Sequence, residues 1–256
     1  MKSKLMIFLA IVTLAAAAAF GQTVPAKPAE PAKPAAPAKL PTAQEILAKY
    51  IKAIGGRDAV EKVKSWTSKG TVELAPMGVK GTVESISSAP NLSLVKMNLA
   101  GIGDFTEGFD GTTAWSVNPI QGAREKSGEE LLQTKLNSNF HREINLDKLY
   151  KKLEVTGMEK VNGRDAYVVR AEAEGVPAST MYFDAATGFI LRTDNTAVSP
   201  EGRQPVSTYF DEMQAFDGVM TPTKIRTKLP TAEITMTITE MKSGPAVEAA
   251  KFARPK

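Results

Sequence analysis

His141 is the only histidine in the 256-residue chain, and there is no cysteine. One histidine cannot assemble the usual zinc site of three or more His/Cys ligands. Disulfides, thiolate metal sites and a cysteine nucleophile are excluded outright. A Ser-His-Asp triad is arithmetically open, but no Gly-x-Ser-x-Gly elbow presents a serine, so the expected role of His141 is at the surface or as a cap. Gly101-Ile-Gly103 is a lone glycine pair without a following helix, a poor phosphate cradle. Glu172 and Glu174 share one strand face, as carboxylate catalysis would want, yet such pairs on a charge-balanced surface are ordinarily solvated. Arg124, Arg170 and Arg192 can contact a polar head group or form surface ion pairs. No catalytic residue, metal site or cofactor is read from the sequence, and the chain is not expected to be an enzyme.

The elements that would position a binding site are a helical opening and many strands. Thr42-Ala-Gln-Glu45 is a capping box: the threonine oxygen takes the N3 amide and the glutamate reaches back. Ile46, Leu47, Tyr50, Ile51 and Ile54 then recur at helical spacing until Gly55-Gly56, and Asp58 to Lys64 fits a second short helix. From Trp66 the period becomes two. Val72 and Leu74 alternate with Thr71 and Glu73; Val79, Gly81 and Val83 alternate with Lys80, Thr82 and Glu84; Val95, Met97 and Leu99 alternate with Lys96 and Asn98. Asp110-Gly111, Asn162-Gly163, Asp217-Gly218 and Thr187-Gly188 mark turns between strand-like runs. Ser127-Gly-Glu-Glu130 reads as the cap of a helix carrying Leu131, Leu132 and Leu136, with Asp147 to Lys152 extending the helical insert. In the last clear strand, Glu233 to Glu240, Ile234, Met236 and Ile238 oppose Thr235, Thr237 and Thr239. The fold class is mainly β (α+β): a large curved antiparallel sheet, or half-open β-barrel, of about eleven strands. The helices at 42–64 and 127–152 must cover its apolar face.

The N-terminus reads as an address. Lys2 and Lys4 precede an apolar run from Leu5 to Phe20 that closes on small residues, the pattern of a cleaved secretory signal over residues 1–21, the alternative being an uncleaved N-terminal anchor. Residues 22–41 form a Pro/Ala/Lys-rich linker with prolines at 25, 28, 31, 34, 37 and 41, an extended polyproline spacer. It serves as a solubilising spacer or as a partner-binding arm through Lys27, Lys33 and Lys39. Without a cysteine after the signal, lipidation there is not expected; the expected location is periplasmic, exported and soluble, with no stable membrane insertion after signal removal. Five lysines and one glutamate lie in 1–41, so residues 42–256 hold 27 basic and 27 acidic groups. A neutral folded domain argues against a nucleic-acid partner.

Tyr50-Ile-Lys-Ala-Ile-Gly-Gly56, Gly108-Phe-Asp-Gly-Thr-Thr-Ala-Trp115, Leu149-Tyr150, Gly157 to Tyr167, Tyr182-Phe-Asp-Ala-Ala-Thr-Gly188, Phe216-Asp-Gly-Val-Met-Thr-Pro222 and Phe252-Ala-Arg-Pro255 follow one another in an order that resembles the LolA/LolB-like periplasmic lipoprotein-carrier superfamily, in its uncharacterised branch. The resemblance implies a half-open barrel closed by helices over an apolar cavity, and a carrier that sorts outer-membrane lipoproteins. Eight of the ten methionines lie within 42–256, where they can repack around acyl chains or simply fill an ordinary core. Alternation and resemblance together nominate Val72, Leu74, Val83, Val95, Met97, Leu99, Met181, Phe183, Ile234, Met236 and Ile238 as the cavity lining. Trp66 and Trp115 would line its mouth or brace the barrel, bracing being the better fit for Trp115 behind its Asp-Gly turn. The expected partners are the acyl chains of a lipid or lipoprotein. The alternative is an envelope protein partner bound by a stress-sensor or interaction module with a packed core on the same fold.

Overall fold

A computed structural model describes residues 39–255. The signal segment and nearly all of the linker lie outside the described residues. Helix α1 (Ala43–Ala53) begins at the expected capping box: Thr42 Oγ1 accepts from the Glu45 amide at 3.2 Å, and Glu45 Oε2 accepts from the Thr42 amide at 2.7 Å. The helix stops because Gly55 takes φ +115°, and a side chain there would meet the Gly218 carbonyl oxygen at 2.1 Å. That contact seats the end of α1 on a distant hairpin turn, where Met220 N donates to Ile54 O at 2.9 Å. Helix α2 (Arg57–Lys62) follows directly.

Thirteen strands then form one antiparallel sheet: β1 (Ser65–Ala75), β2 (Val79–Ser88), β3 (Leu92–Leu99), β4 (Gly103–Phe109), β5 (Ala114–Asn118), β6 (Gly122–Glu125), β7 (Lys152–Val161), β8 (Arg164–Glu172), β9 (Ser179–Asp184), β10 (Ile190–Ser199), β11 (Gly202–Phe216), β12 (Val219–Lys228) and β13 (Glu233–Gly244). Their order is β6-β5-β4-β3-β2-β1-β13-β12-β11-β10-β9-β8-β7. Two meanders are thus joined where β1 pairs with β13, and the edge strands β6 and β7 do not pair, so the curved sheet stays open rather than closing into a barrel. The count exceeds eleven because β6, Gly-Ala-Arg-Glu, carries no alternation, and β11 runs through Pro205 for fifteen residues.

Helix α3 (Gly128–Asn137), a 3-10 turn (Arg142–Ile144) and α4 (Leu146–Leu149) interrupt the sheet between β6 and β7. The expected helix at 147–152 ends earlier, because Lys151 N already donates to Glu172 O and starts the β7–β8 ladder. Ser127 is the N-cap of α3, but its hydroxyl makes no capping bond. Gly128 at φ +55° turns the first residue out of helical geometry, and Glu130 is taken by Arg124 through paired 2.7 Å bonds.

The main core lies between the inner sheet face and the helices. Ile46, Leu47, Tyr50, Ile54, Val60 and Val63 pack on Val169, Ala171, Met181, Phe183 and Val219, with Ile144, Leu146 and Tyr150 closing one side. On the opposite face a smaller cluster joins Leu92, Leu94 and Trp115 to Phe252 of the C-terminal segment. Trp115 is 1% exposed, its Nε1–H donates to Phe252 O at 2.8 Å, and Gly108 lies against its ring. Its role is bracing.

Candidate functional site: a cavity between the sheet and its helices

A cavity of about 320 Å³ opens between the inner sheet face and the helical cover. Tyr50 and Ile54 of α1, and Val60 and Val63 at α2, form one wall. Trp66, at the start of β1, faces them with Ile190, Phe210, Met213, Val219, Met220 and Met241. Phe140 and Leu146 complete the apolar lining, and Ser87, Ser93, Thr193 and Thr221 add hydroxyls to it. Glu212 contributes indirectly: at φ +55° it interrupts the β11–β12 pairing, and Met213 and Pro222 just beyond it both line the cavity.

One pole is polar, built by the segment 137–143. Local bonds hold that segment in place: Phe140 N donates to Pro90 O at 3.0 Å, Asn145 Nδ2 to His141 O at 3.0 Å, and Arg57 Nη2 to Ile144 O at 2.8 Å. His141 spends one ring nitrogen on the backbone: Nε2 lies 3.0 Å from Val63 O and donates to it, while Phe140 packs edge-on against the ring at 4.9 Å. No serine or carboxylate bonds the ring among the described residues, so the geometry is that of a brace. Arg142 Nη2 donates to the Tyr150 hydroxyl at 2.8 Å, while its Nε is buried without a partner.

Glu143 is the outlier of this pole. It is an exposed residue on the cavity wall. It accepts no side-chain hydrogen bond and joins no ion pair among the described residues. Partial desolvation against the wall pushes its carboxyl above the usual glutamate range, although its own amide, Arg142 and His141 pull the other way. Burial, and then the proximity of Glu143, drive the Tyr50 phenol well up, so Tyr50 stays neutral. The pole therefore carries one exposed carboxylate, Glu143, beside one guanidinium, Arg142.

Nine of the eleven residues nominated from sequence form one contiguous apolar surface. Across β13-β1-β2-β3 the register opposes Met236 to Val72, Ile234 to Leu74 and Met97 to Val83, places Leu99 opposite Gly81, and sets Ile238 beside Gly70 and Val95 beside Ser85. Val72, Val83 and Leu99 are buried and the other six half-buried. Met181 and Phe183 lie elsewhere, 1% exposed beneath α1, with the Phe183 ring 5.6 Å from that of Tyr50. The cavity around Trp66 is lined by a different set. Trp66 and Val72 are on the same face of β1, but they are six positions apart, ~20 Å at 3.3 Å per residue. Val95 lines an adjoining, more polar cavity of about 470 Å³ under α3. The two cavities share Ser93, Asn137 and Ser138, and the Ser93 and Ser138 hydroxyls bond at 2.9 Å on that shared wall.

Sequence reasoning missed most of the cavity walls and the Glu143 pole. The apolar residues of α1 were legible as a packing face, but the 137–146 segment has no period that marks it as a wall. Arg124, Arg170 and Arg192 are ion-paired, with Glu130, Glu172 and Asp194. Among the described residues there is no cluster of three or more metal-ligating side chains, and no helix is long and apolar enough to cross a membrane.

No protein-family model and no curated protein matches the sequence. Solved structures do match. A LolA superfamily protein from Nitrosomonas europaea aligns with a TM-score of 0.55 at 15% identity, over 84% of this chain and 99% of that one. A DUF1329 family protein from Desulfovibrio piger gives 0.54 at 16% identity, over 82% and 96%. A Vibrio parahaemolyticus domain named for outer membrane lipoprotein sorting gives 0.50 at 11% identity, over 81% and 94%. At these identities the likeness is one of fold: the chain shares the architecture of LolA-superfamily structures along nearly its whole described length.

Proposed function

We propose that this chain is an exported, non-enzymatic protein that takes the acyl chain of a lipid or lipidated protein into the cavity between sheet and helices. The observation that carries this reading is the cavity itself: mostly apolar walls, with a polar segment at 137–143 and scattered hydroxyls from Ser87, Ser93, Thr193 and Thr221. Its volume of about 320 Å³ sits at the small end of the ~300–1,000 Å³ range of ligand pockets. Trp66, Phe210, Met213 and Met241 supply aromatic and thioether surface that adapts to a flexible chain. Each methylene buried there gains ~0.8 kcal/mol. The shared architecture with LolA-superfamily structures supports the same reading.

Native mass spectrometry of protein purified from its own envelope tests it. A co-purifying lipid-sized adduct is expected, as is uptake of the neutral fluorescent amphiphile N-phenyl-1-naphthylamine. Met241→Trp, which fills the cavity with an indole, should abolish both while circular dichroism stays unchanged. A ligand-free mass together with no probe uptake by the wild-type protein would sink the proposal. A protein partner that co-purifies and persists in Met241→Trp would favour the interaction module instead.

A further inference from the structure

Arg142 is half-buried on the cavity wall, and among the described residues it is the one arginine that joins no ion pair. The other eight each have a carboxylate partner, from Arg57 with Glu61 to Arg254 with Glu125. Arg124, Arg170 and Arg192, open to a head group from sequence alone, are neutralised in this way. A guanidinium carries several N–H donors and is not deprotonated in proteins. Arg142 places one of them, on the Tyr150 hydroxyl at 2.8 Å, and its Nε has no acceptor. Glu143, the one acidic residue of the lining, is exposed and forms no ion pair with its chain neighbour. A cation partly withdrawn from water without a counter-ion is costly until an anion reaches it. A ligand can supply one.

We infer that Arg142 holds the polar end of the ligand, and that the cavity takes single-chain amphiphiles with an anionic oxygen head, a carboxylate or a phosphate. The chain lies along Trp66, Phe210 and Met241, and the oxygens of the head accept from the guanidinium, with Asn139 a neutral donor on the same wall. Glu143 is solvated, so its charge is screened and weighs less at the head than that of the half-buried guanidinium. A protonated amine would meet like charge there. This deepens the acyl-chain reading and rests on it.

Titration calorimetry of the full chain with dodecanoate, dodecyl phosphate, dodecanol and dodecylamine, each below its micelle concentration, holds the alkyl chain constant and varies only the head. An anionic head is expected to bind about tenfold or more tighter than the alcohol, as a charge-assisted hydrogen bond provides, with the amine gaining nothing over it. Arg142→Gln should erase the advantage and leave dodecanol binding unchanged, whereas Arg142→Lys, which keeps the charge, should retain part of it. Tyr150→Phe removes only the bond that Arg142 makes to the protein and should keep the advantage, which a merely structural role for Arg142 would not do. Equal affinity of anionic and neutral heads in the wild-type protein overturns the assignment whether or not any variant folds, as does an advantage that survives Arg142→Gln; both leave the acyl-chain reading standing. Failure of all four to bind overturns that reading, and this one with it. Tighter binding of dodecanoate than of dodecyl phosphate supports the inference and names a fatty acid as the source; the reverse order supports it and names a phosphate-headed lipid.

Discussion

Glu143 is exposed and Asp184 is buried, and their surroundings shift the two carboxyls in opposite directions. Asp184 is 2% exposed and accepts from the Thr187 amide at 2.5 Å and the Thr187 hydroxyl at 2.8 Å. Arg164 Nε pairs with it at 2.7 Å. Burial alone would raise its pKa, but these bonds and the guanidinium outweigh burial and hold the carboxyl below the usual aspartate range. Its stabilising contribution is therefore present above the unfolded-chain value of ~3.9 and is lost as pH falls through the folded value. The site is shallow, since Arg164 is half exposed, so Asp184→Asn should cost only about 1–2 kcal/mol at neutral pH. That gap should close in urea unfolding below pH ~3.9. Glu143, raised and without a partner, has the reverse sign: its ionised form disfavours the folded state, and the penalty fades as pH falls through its raised value toward ~4.3. Glu143→Gln should thus raise Tm at neutral pH and converge with wild type in acid. Wild-type and Glu143→Gln Tm curves that run parallel from neutral pH into acid would show that the carboxylate is already satisfied.

Among the elements, α3 is held differently from α1. Helix α1 buries Ile46, Leu47 and Tyr50, whereas α3 buries no residue, and Leu132 remains 41% exposed. What fixes α3 is a polar belt: Arg124 to Glu130, Arg203 to Glu129 at 2.5 Å, and Gln133 donating to Thr196 O at 2.8 Å while accepting from Val198 N at 3.3 Å. Partly exposed polar contacts contribute little each, so α3 belongs to the low-stability end of the molecule. Hydrogen exchange of the α3 amides should be faster than that of α1. Gln133→Ala should accelerate it further, with global stability changed by no more than about 0.5 kcal/mol. Equal protection of the two helices would refute the distinction. The sequence signals explain why α1 was legible and α3 only partly so. A capping box followed by apolar residues at helical spacing reports both a start and a buried face. Leu131, Leu132 and Leu136 have the same spacing, but spacing cannot say that polar bonds on the opposite side do the holding. The strands with strict alternation, β1, β2, β3 and β13, were read with their correct faces. β6 and the Phe252 segment were not, because neither carries a period and the role of Phe252 depends on Trp115 from a distant strand.

At the scale of the whole molecule, the open sheet gives its inner face two regions that strand alternation cannot distinguish. Val72, Leu74, Met236 and Met97 alternate like Trp66, yet only the end near Trp66 is roofed by α1, α2 and the 137–146 segment over a cavity. Alternation reports which face is inner; it does not report which end of a strand the helices reach. That depends on the closeness of Gly55 to Gly218 and on the bond from Arg57 to Ile144 O, contacts between residues far apart in sequence. The two regions make separable predictions about ligand length. A short chain can be housed beside Trp66 and Met241, but a long one must run past Ser68 and Gly70 toward Val72, ~20 Å along β1. Hexadecanoate should therefore bind more tightly than octanoate, and Met236→Trp should remove that advantage while leaving octanoate binding intact. Met241→Trp should weaken both. If Met236→Trp leaves hexadecanoate unaffected, the Val72–Met236 surface is packed core and the ligand ends within the cavity at Trp66.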